Sequence, residues 1–188
     1  IMVLPERIGM ALKTGIGKEK KAAVTEEVVQ IVTFHVGEEE YGLDIGSVAE
    51  VIRPFKITPL PRMPEFVEGV INLRGSIIPI VDMRRRFELA TAGSDPKKVR
   101  MMITRGAVSG EQGAGHRLLG LLVDGVREVL TVPKKQIEAA PEAARGTNAD
   151  FVIGMGKMGD RLIILLDITR ILNREERAAL AEAGDGNA

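Results

Sequence analysis

From Val28 the chain alternates. Val29, Ile31, Thr33 and His35 interleave with Gln30, Val32, Phe34 and Val36, and apolar residues occupy most of both sets. That pattern predicts a strand buried on most of both faces. Gly37 and three glutamates make a turn, and residues 41–45 return as the second arm of a hairpin. Residues 48–52 predict a third short strand. Pro54, Pro59, Pro61 and Pro64 then exclude helix and most ladder pairing, so 54–64 is an extended loop. Two more strands follow at 66–73 and 76–82, then a polar connector over 88–97.

The second half repeats the first. Residues 42–52 align with 120–130, matching Gly, Leu, Val, Glu and Val, and the repeat sets Glu50 opposite Glu128. Phe66-Val67-Glu68-Gly69 aligns with Phe151-Val152-Ile153-Gly154, and without a gap Ile77–Asp82 falls on Leu162–Asp167. The strands at 29–36 and 98–104 hold corresponding places. Two copies of about five short strands predict two small barrels, since closure removes edges that a short sheet would expose. One large sandwich is the competing architecture. No long helices alternate with the strands, which excludes a doubly wound fold. The last element is a helix: Asn173 and Glu176 have capping-box spacing ahead of good helix formers. The expected division is a charged tail over 1–27 with some helical content, barrel one over about 28–90, barrel two over about 97–168, and the helix and tail over 173–188. Exchange of strands between the barrels is left open.

Composition removes several function classes. Lys plus Arg number 26 and so do Asp plus Glu, so no excess of positive charge is available for a nucleic-acid surface. There is no cysteine, hence no disulfide, thiol nucleophile or thiolate metal site, which fits the cytosol. No apolar run is long enough to span a bilayer. The dilution of Lys18, Lys20 and Lys21 by Glu19, Glu26 and Glu27 disfavours a membrane-binding helix in the tail. The two histidines, His35 in a strand and His116 in a glycine-rich loop, make no metal spacing. Gly110, Gly113 and Gly115 precede a strand rather than a helix and lack a following Lys-Ser/Thr, which disfavours a phosphate loop. Asp82 and Asp167, equivalent in the repeat, are read as turn or helix caps, and Arg84-Arg85-Arg86 as a solvated run. An enzyme is therefore not expected, and no cofactor or metal is called for. A barrel holding a small metabolite is the rival reading. It requires an interior cavity, which five strands are too few to provide. Asn72-Leu73-Arg74-Gly75 stands out, because the second copy has Lys157, Met158, Gly159 and Asp160 there. It is either a simple turn with a solvated Arg74 or a rigidly held bidentate donor.

Residues 40–45 and 48–52, the run from Phe66 through Asn72-Leu73-Arg74-Gly75 to Asp82, and the run from Gly120 through Asp124-Gly125-Val126 to Leu130 resemble the CheW family over about residues 28–175. The resemblance implies an all-β protein of two similar five-stranded SH3-like barrels with a short C-terminal helix. It also implies a cytoplasmic adaptor, recruited to membrane receptor arrays, that couples chemoreceptor cytoplasmic tips (methyl-accepting chemotaxis proteins) to the regulatory domain of the histidine kinase CheA. Weak self-association in arrays is compatible with it. A CheW-like piece of CheV or CheA is the alternative within the family. The family's binding positions fall on Val48, Glu50, Gly69, Asn72, Leu73, Arg74 and Val129, in an expected groove between the barrels. The expectation sharpest in structural terms is that Arg74 pairs with Glu50.

Overall fold

The structure is a computed structural model of the chain that describes residues 26–90, 93–109, 116–140 and 150–185. The tail over 1–25, with its membrane-helix reading, and the glycines at 110–115 lie outside these residues. Eleven strands are described: β1 (Val28–Val36), β2 (Glu39–Asp44), β3 (Val48–Ile52), β4 (Val67–Leu73), β5 (Ser76–Asp82), β6 (Arg100–Ser109), β7 (His116–Val123), β8 (Gly125–Pro133), β9 (Ile137–Ala139), β10 (Val152–Met158) and β11 (Arg161–Leu166). Two helices, α1 (Met83–Arg86) and α2 (Arg174–Asp185), accompany them. His116 thus opens a strand, paired with Ser109, rather than lying in the loop. The fold is all-β, built as two similar SH3-like subdomains.

The sheets do not follow the halves of the chain. One sheet has the order β8-β1-β2-β11-β10-β9 and the other β3-β6-β7-β5-β4. Contiguous barrels over 28–90 and 97–168 are therefore corrected. Each barrel takes its first two strands from one half and the rest from the other, so strands are exchanged. Equivalent strands still occupy equivalent places. Among the described residues the only parallel pairings join β5 to β7 and β11 to β2, and they align Ile80 with Gly120 and Leu165 with Gly42. Those two residue pairs are the same pair under the repeat. Register shifts recur at Val67/Gly69 and Val152/Gly154, again equivalent. The six-stranded sheet exceeds the expected five by β9, whose Glu138 pairs with Met155. In the other sheet that strand shrinks to one bridge between Thr58 and Val70, because the surrounding prolines block a longer ladder.

Two small cores fill the barrels and a larger one lies between them. Ile71, Ile78, Ile80, Met101 and Ile103 pack inside one barrel. Ile31, Val132, Ile163 and Leu165 pack inside the other. The alternate residues of the same strands, among them Val32, Phe34, Val81, Met102, Leu121 and Leu166, form the core of the seam. This is why the strands carry apolar residues on both faces: one face closes a barrel and the other glues it to its twin. Among the described residues these aliphatic side chains occupy the barrel interiors.

The expected caps form. Asp82 accepts from the Arg84 and Arg85 amides (2.8 and 3.3 Å), and Asp167 from the Thr169 amide (2.9 Å). Asn173 and Glu176 cap each other's backbone amides at 2.9 and 2.7 Å. The arginine run is not merely solvated. Arg84 pairs with Asp124 at 2.8 Å and Arg85 with Glu68 at 2.8 Å. Arg86 stacks over Phe66 and Phe151, 4.8 and 5.4 Å from the ring centroids, and donates to the Ile171 carbonyl. Phe66 and Phe151 are equivalent in the repeat, so one guanidinium ties both copies to the C-terminal segment.

Candidate functional site

The Asn72–Gly75 segment turns β4 into β5 with two residues, Leu73 facing Ser76 across the ladder. Arg74 has φ 53° and Gly75 φ 88°. Two successive left-handed residues are the requirement of a type I′ turn, whose twist matches that of the strands. The Asn72 side chain accepts from the Gly75 amide at 2.9 Å and fixes the turn. A left-handed Arg costs about 1–2 kcal/mol relative to Gly. At the equivalent position the second copy has Gly159, with φ 62°. The first copy thus keeps a strained residue where its twin does not.

What the strain secures is the direction of one side chain. Arg74 Nη1 and Nη2 donate to Glu50 Oε1 and Oε2, both at 3.1 Å, in a bidentate fork. The Arg74 side chain stays 76% exposed and Glu50 28% exposed. In water such a pair adds about 0–1 kcal/mol to stability. It holds a planar donor at a hairpin tip, so its geometry matters more than its energy.

The seven predicted residues divide into three groups rather than one wall. Glu50, Asn72 and Arg74 form the hairpin cluster, and Leu73 roots it in the barrel core. Val48 and Val129 lie along the seam. Val48 packs against the seam core, so it is not freely exposed, and Val129 stands beside Val32 on β8, 49% exposed. Gly69 is buried, and its place is architectural: with φ 137°, a Cβ there would sit 2.1 Å from the Thr58 carbonyl oxygen. Only Gly permits the bulge and the Thr58–Val70 bridge together.

Sequence reasoning missed two features. Val51, Ile77 and Leu162 are exposed aliphatics that register places on the seam side of their strands, so with Val129 they extend the seam core to the surface. They come as repeat equivalents, Val51 with Val129 and Ile77 with Leu162. The alignment contained that signal once burial was known. The second feature is a twin ion-pair cluster. Glu128, the equivalent of Glu50, accepts from Arg161 at 2.7 Å, and Arg161 also grips Glu40 through Nε at 3.0 Å and through Nη2. Arg161 aligns with Ser76, so nothing in the repeat announces it. Glu40 is buried, 7% exposed, and the Arg161 hydrogen bonds hold its carboxyl below the ordinary carboxylate range against the opposing effect of desolvation.

Among the described residues no group of three or more His, Cys, Asp or Glu side chains is arranged to hold a metal ion, and no helix is long and apolar enough to cross a membrane.

Comparisons with known proteins agree with this geometry. The family described as CheW-like domain matches residues 30–176. The chain is 35% identical over 164 residues to the chemotaxis protein CheW of Klebsiella aerogenes, covering 87% of this chain and 93% of that one. It is 32% identical over 161 residues to CheW of Treponema pallidum, covering 85% and 91%. Among solved structures it resembles the scaffolding protein TtCheW of Thermoanaerobacter tengcongensis, with a TM-score of 0.69 and 36% identity over 80% of this chain and 96% of that one.

Proposed function

Because the chain belongs to the CheW family of non-catalytic chemotaxis adaptors, we propose that it couples the cytoplasmic tips of chemoreceptors to the histidine kinase CheA, working at membrane receptor arrays. The observation that carries this reading is the Arg74–Glu50 fork at the tip of the β4–β5 hairpin. An exposed, oriented guanidinium is a specificity element: it presents donors in a plane to a partner's carboxylate or carbonyl. The exposed aliphatics of the seam supply what a helical partner needs, an apolar strip on which one helix face is buried. Weak, multivalent contact suits a component whose partners are held at high local concentration in an array.

The test is reconstitution of the full chain with receptor cytoplasmic fragments and CheA. Kinase activation and co-sedimentation are measured for the parent and for Arg74→Ala and Arg74→Lys. Both variants are expected to lose coupling while melting within a few degrees of the parent, since Lys cannot reproduce the fork. Full coupling by Arg74→Ala would remove the hairpin from the binding surface and leave it a turn.

A further inference from the structure

A cleft of about 460 Å³ opens where the end of β1, the start of β8 and the connector ahead of β6 meet. It shares no residue with the Arg74–Glu50 fork. Its size lies in the range of small-molecule sites, roughly 300–1,000 Å³. Its lining is unlike the neutral chain as a whole. Four cations, Arg84, Lys98, Arg100 and Arg127, face two carboxylates, Asp95 and Asp124. Counting its Lys, Arg and Asp side chains, the cleft has two positive charges in excess.

The carboxylates are already engaged. Asp124 accepts from Arg84 Nε at 2.8 and 2.9 Å and from the Gly37 amide at 2.6 Å. That pair is largely buried and holds the Arg84 guanidinium, which also donates to the Ala90 carbonyl. Asp95 accepts from the Lys97 amide at 3.0 Å, and its own carbonyl accepts from the Lys98 amide at 2.9 Å, so it shapes the connector. Neither acid neutralises the other three cations. Among the described residues the Lys98 ammonium has no ion-pair partner. Arg100 donates through Nη1 to the Lys97 and Val99 carbonyls, and among the described residues it forms no ion pair. Arg127 reaches Glu40 at 3.4 Å, but Glu40 is held chiefly by Arg161, and half of Arg127 remains exposed. Three cations from two segments therefore converge on a concave space, where field lines concentrate and a counter-anion gains most.

The geometry points to a binding site in this cleft for a small phosphate monoester, gripped by Lys98, Arg100 and Arg127. The charge selects the class. A phosphate monoester carries about −1.5 to −2 at neutral pH and three acceptor oxygens, enough to match the excess and three separate donors. A single carboxylate matches half of the charge and fewer donors. Gly37 and Gly125 also line the cleft, so their amides report on its occupancy.

The experiment uses the full chain, isotopically labelled, and follows backbone amide shifts on titration with glycerol phosphate at constant ionic strength. Inorganic phosphate, glutamate and chloride are run in parallel. Glycerol phosphate and inorganic phosphate are expected to give saturable shifts centred on Gly37, Lys98 and Gly125, with glutamate weaker by about tenfold or more, the scale of one lost charge-assisted bond. Lys98→Ala and Arg127→Ala should each weaken phosphate-ester binding by about tenfold or more. Arg74→Ala should leave it unchanged, and thermal melts verify that each variant is folded. Linear, unsaturable shifts, or equal binding by the Lys98 and Arg127 variants, would overturn the site. Glutamate binding as tightly as the phosphate ester would overturn the ligand class.

Discussion

The two barrels hold the same glutamate in two different ways. In one, Glu50 is gripped by Arg74 from the tip of a hairpin, in water. In the other, Glu128 is gripped by Arg161 from within a strand, and the same arginine satisfies the buried Glu40. The backbone frames are equivalent, down to the bulges. The difference lies in where the arginine stands and what else it must do. At the tip, it is free to meet a partner and adds little to folding. In the strand, it is committed to a neighbouring charge that would otherwise be buried alone. One copy of the repeat keeps its arginine available, and the other uses it to hold the barrel together.

The largest expected effect concerns the two bulge glycines. Gly69→Ala should cost about 4 kcal/mol, combining strain at positive φ with a clash against backbone that cannot move aside. Gly154→Ala, where the nearest atom is the Glu138 carbonyl oxygen at 2.7 Å and φ is not left-handed, should cost about half as much. Urea unfolding of both variants measures the gap. Equal losses would show that the Thr58 bridge and β9 are equally yielding.

Next come the arginines. Arg161→Ala should destabilise by about 3 kcal/mol, the lower end for breaking a shielded pair, because Arg161 is itself partly exposed. Arg74→Ala should change stability by no more than about 0.5 kcal/mol. Similar losses at both positions would erase the division of labour between the barrels.

Acidity sharpens the same contrast. The carboxyl of Glu40 is lower in the folded chain than its ordinary value of 4.5. The unfolded state therefore binds the proton more readily. The stability this contributes is complete above about pH 4.5 and is lost as pH falls through the lower folded value. Glu40→Gln should be less stable than the parent at neutral pH, and the gap should narrow on acidification below 4.5. A gap constant across that window would place the Glu40–Arg161 contribution outside charge pairing.

The smallest effect has the opposite sign. Arg74→Gly should raise stability by about 1 kcal/mol by relieving the left-handed Arg, while abolishing the fork. A thermal melt checks it. A drop instead would mean that the fork outweighs the strain.

Much of this was legible in the sequence because it is local or repeated. Alternation located the strands, the Asn173/Glu176 spacing located the helix start, and the repeat placed β3 opposite β8 and β5 opposite β11. The Arg74–Glu50 pair was anticipated from a hairpin order that sets β3 beside the β4–β5 tip, but β3 and β4 are the two outer strands of their sheet, so the fork joins its two edges. What stayed hidden depends on which sheet a strand joins. The repeat holds equally for separate and for exchanged barrels, since both give each strand the same neighbours in kind. Nothing local in the sequence says that β3 faces the seam, where Val48 packs partly buried against the core. The close approach of Thr58 behind Gly69 is hidden because Thr58 belongs to a loop whose path no local pattern dictates. Arg161 has no counterpart in the first copy, so no alignment within the chain could draw attention to it.

The exchange of strands also governs how the protein is made. As the chain leaves the ribosome, β1 and β2 emerge before their neighbours β8 and β11, which lie about 90 to 120 residues further on, at 125–133 and 161–166. The strands β3, β4 and β5 wait in turn for β6 and β7, which end at Val123. Neither barrel can close before Val123 has been made. Until then the nascent protein carries the β1–β2 and β4–β5 hairpins with their outer edges unpaired, and the second barrel is completed within a few dozen residues of the first.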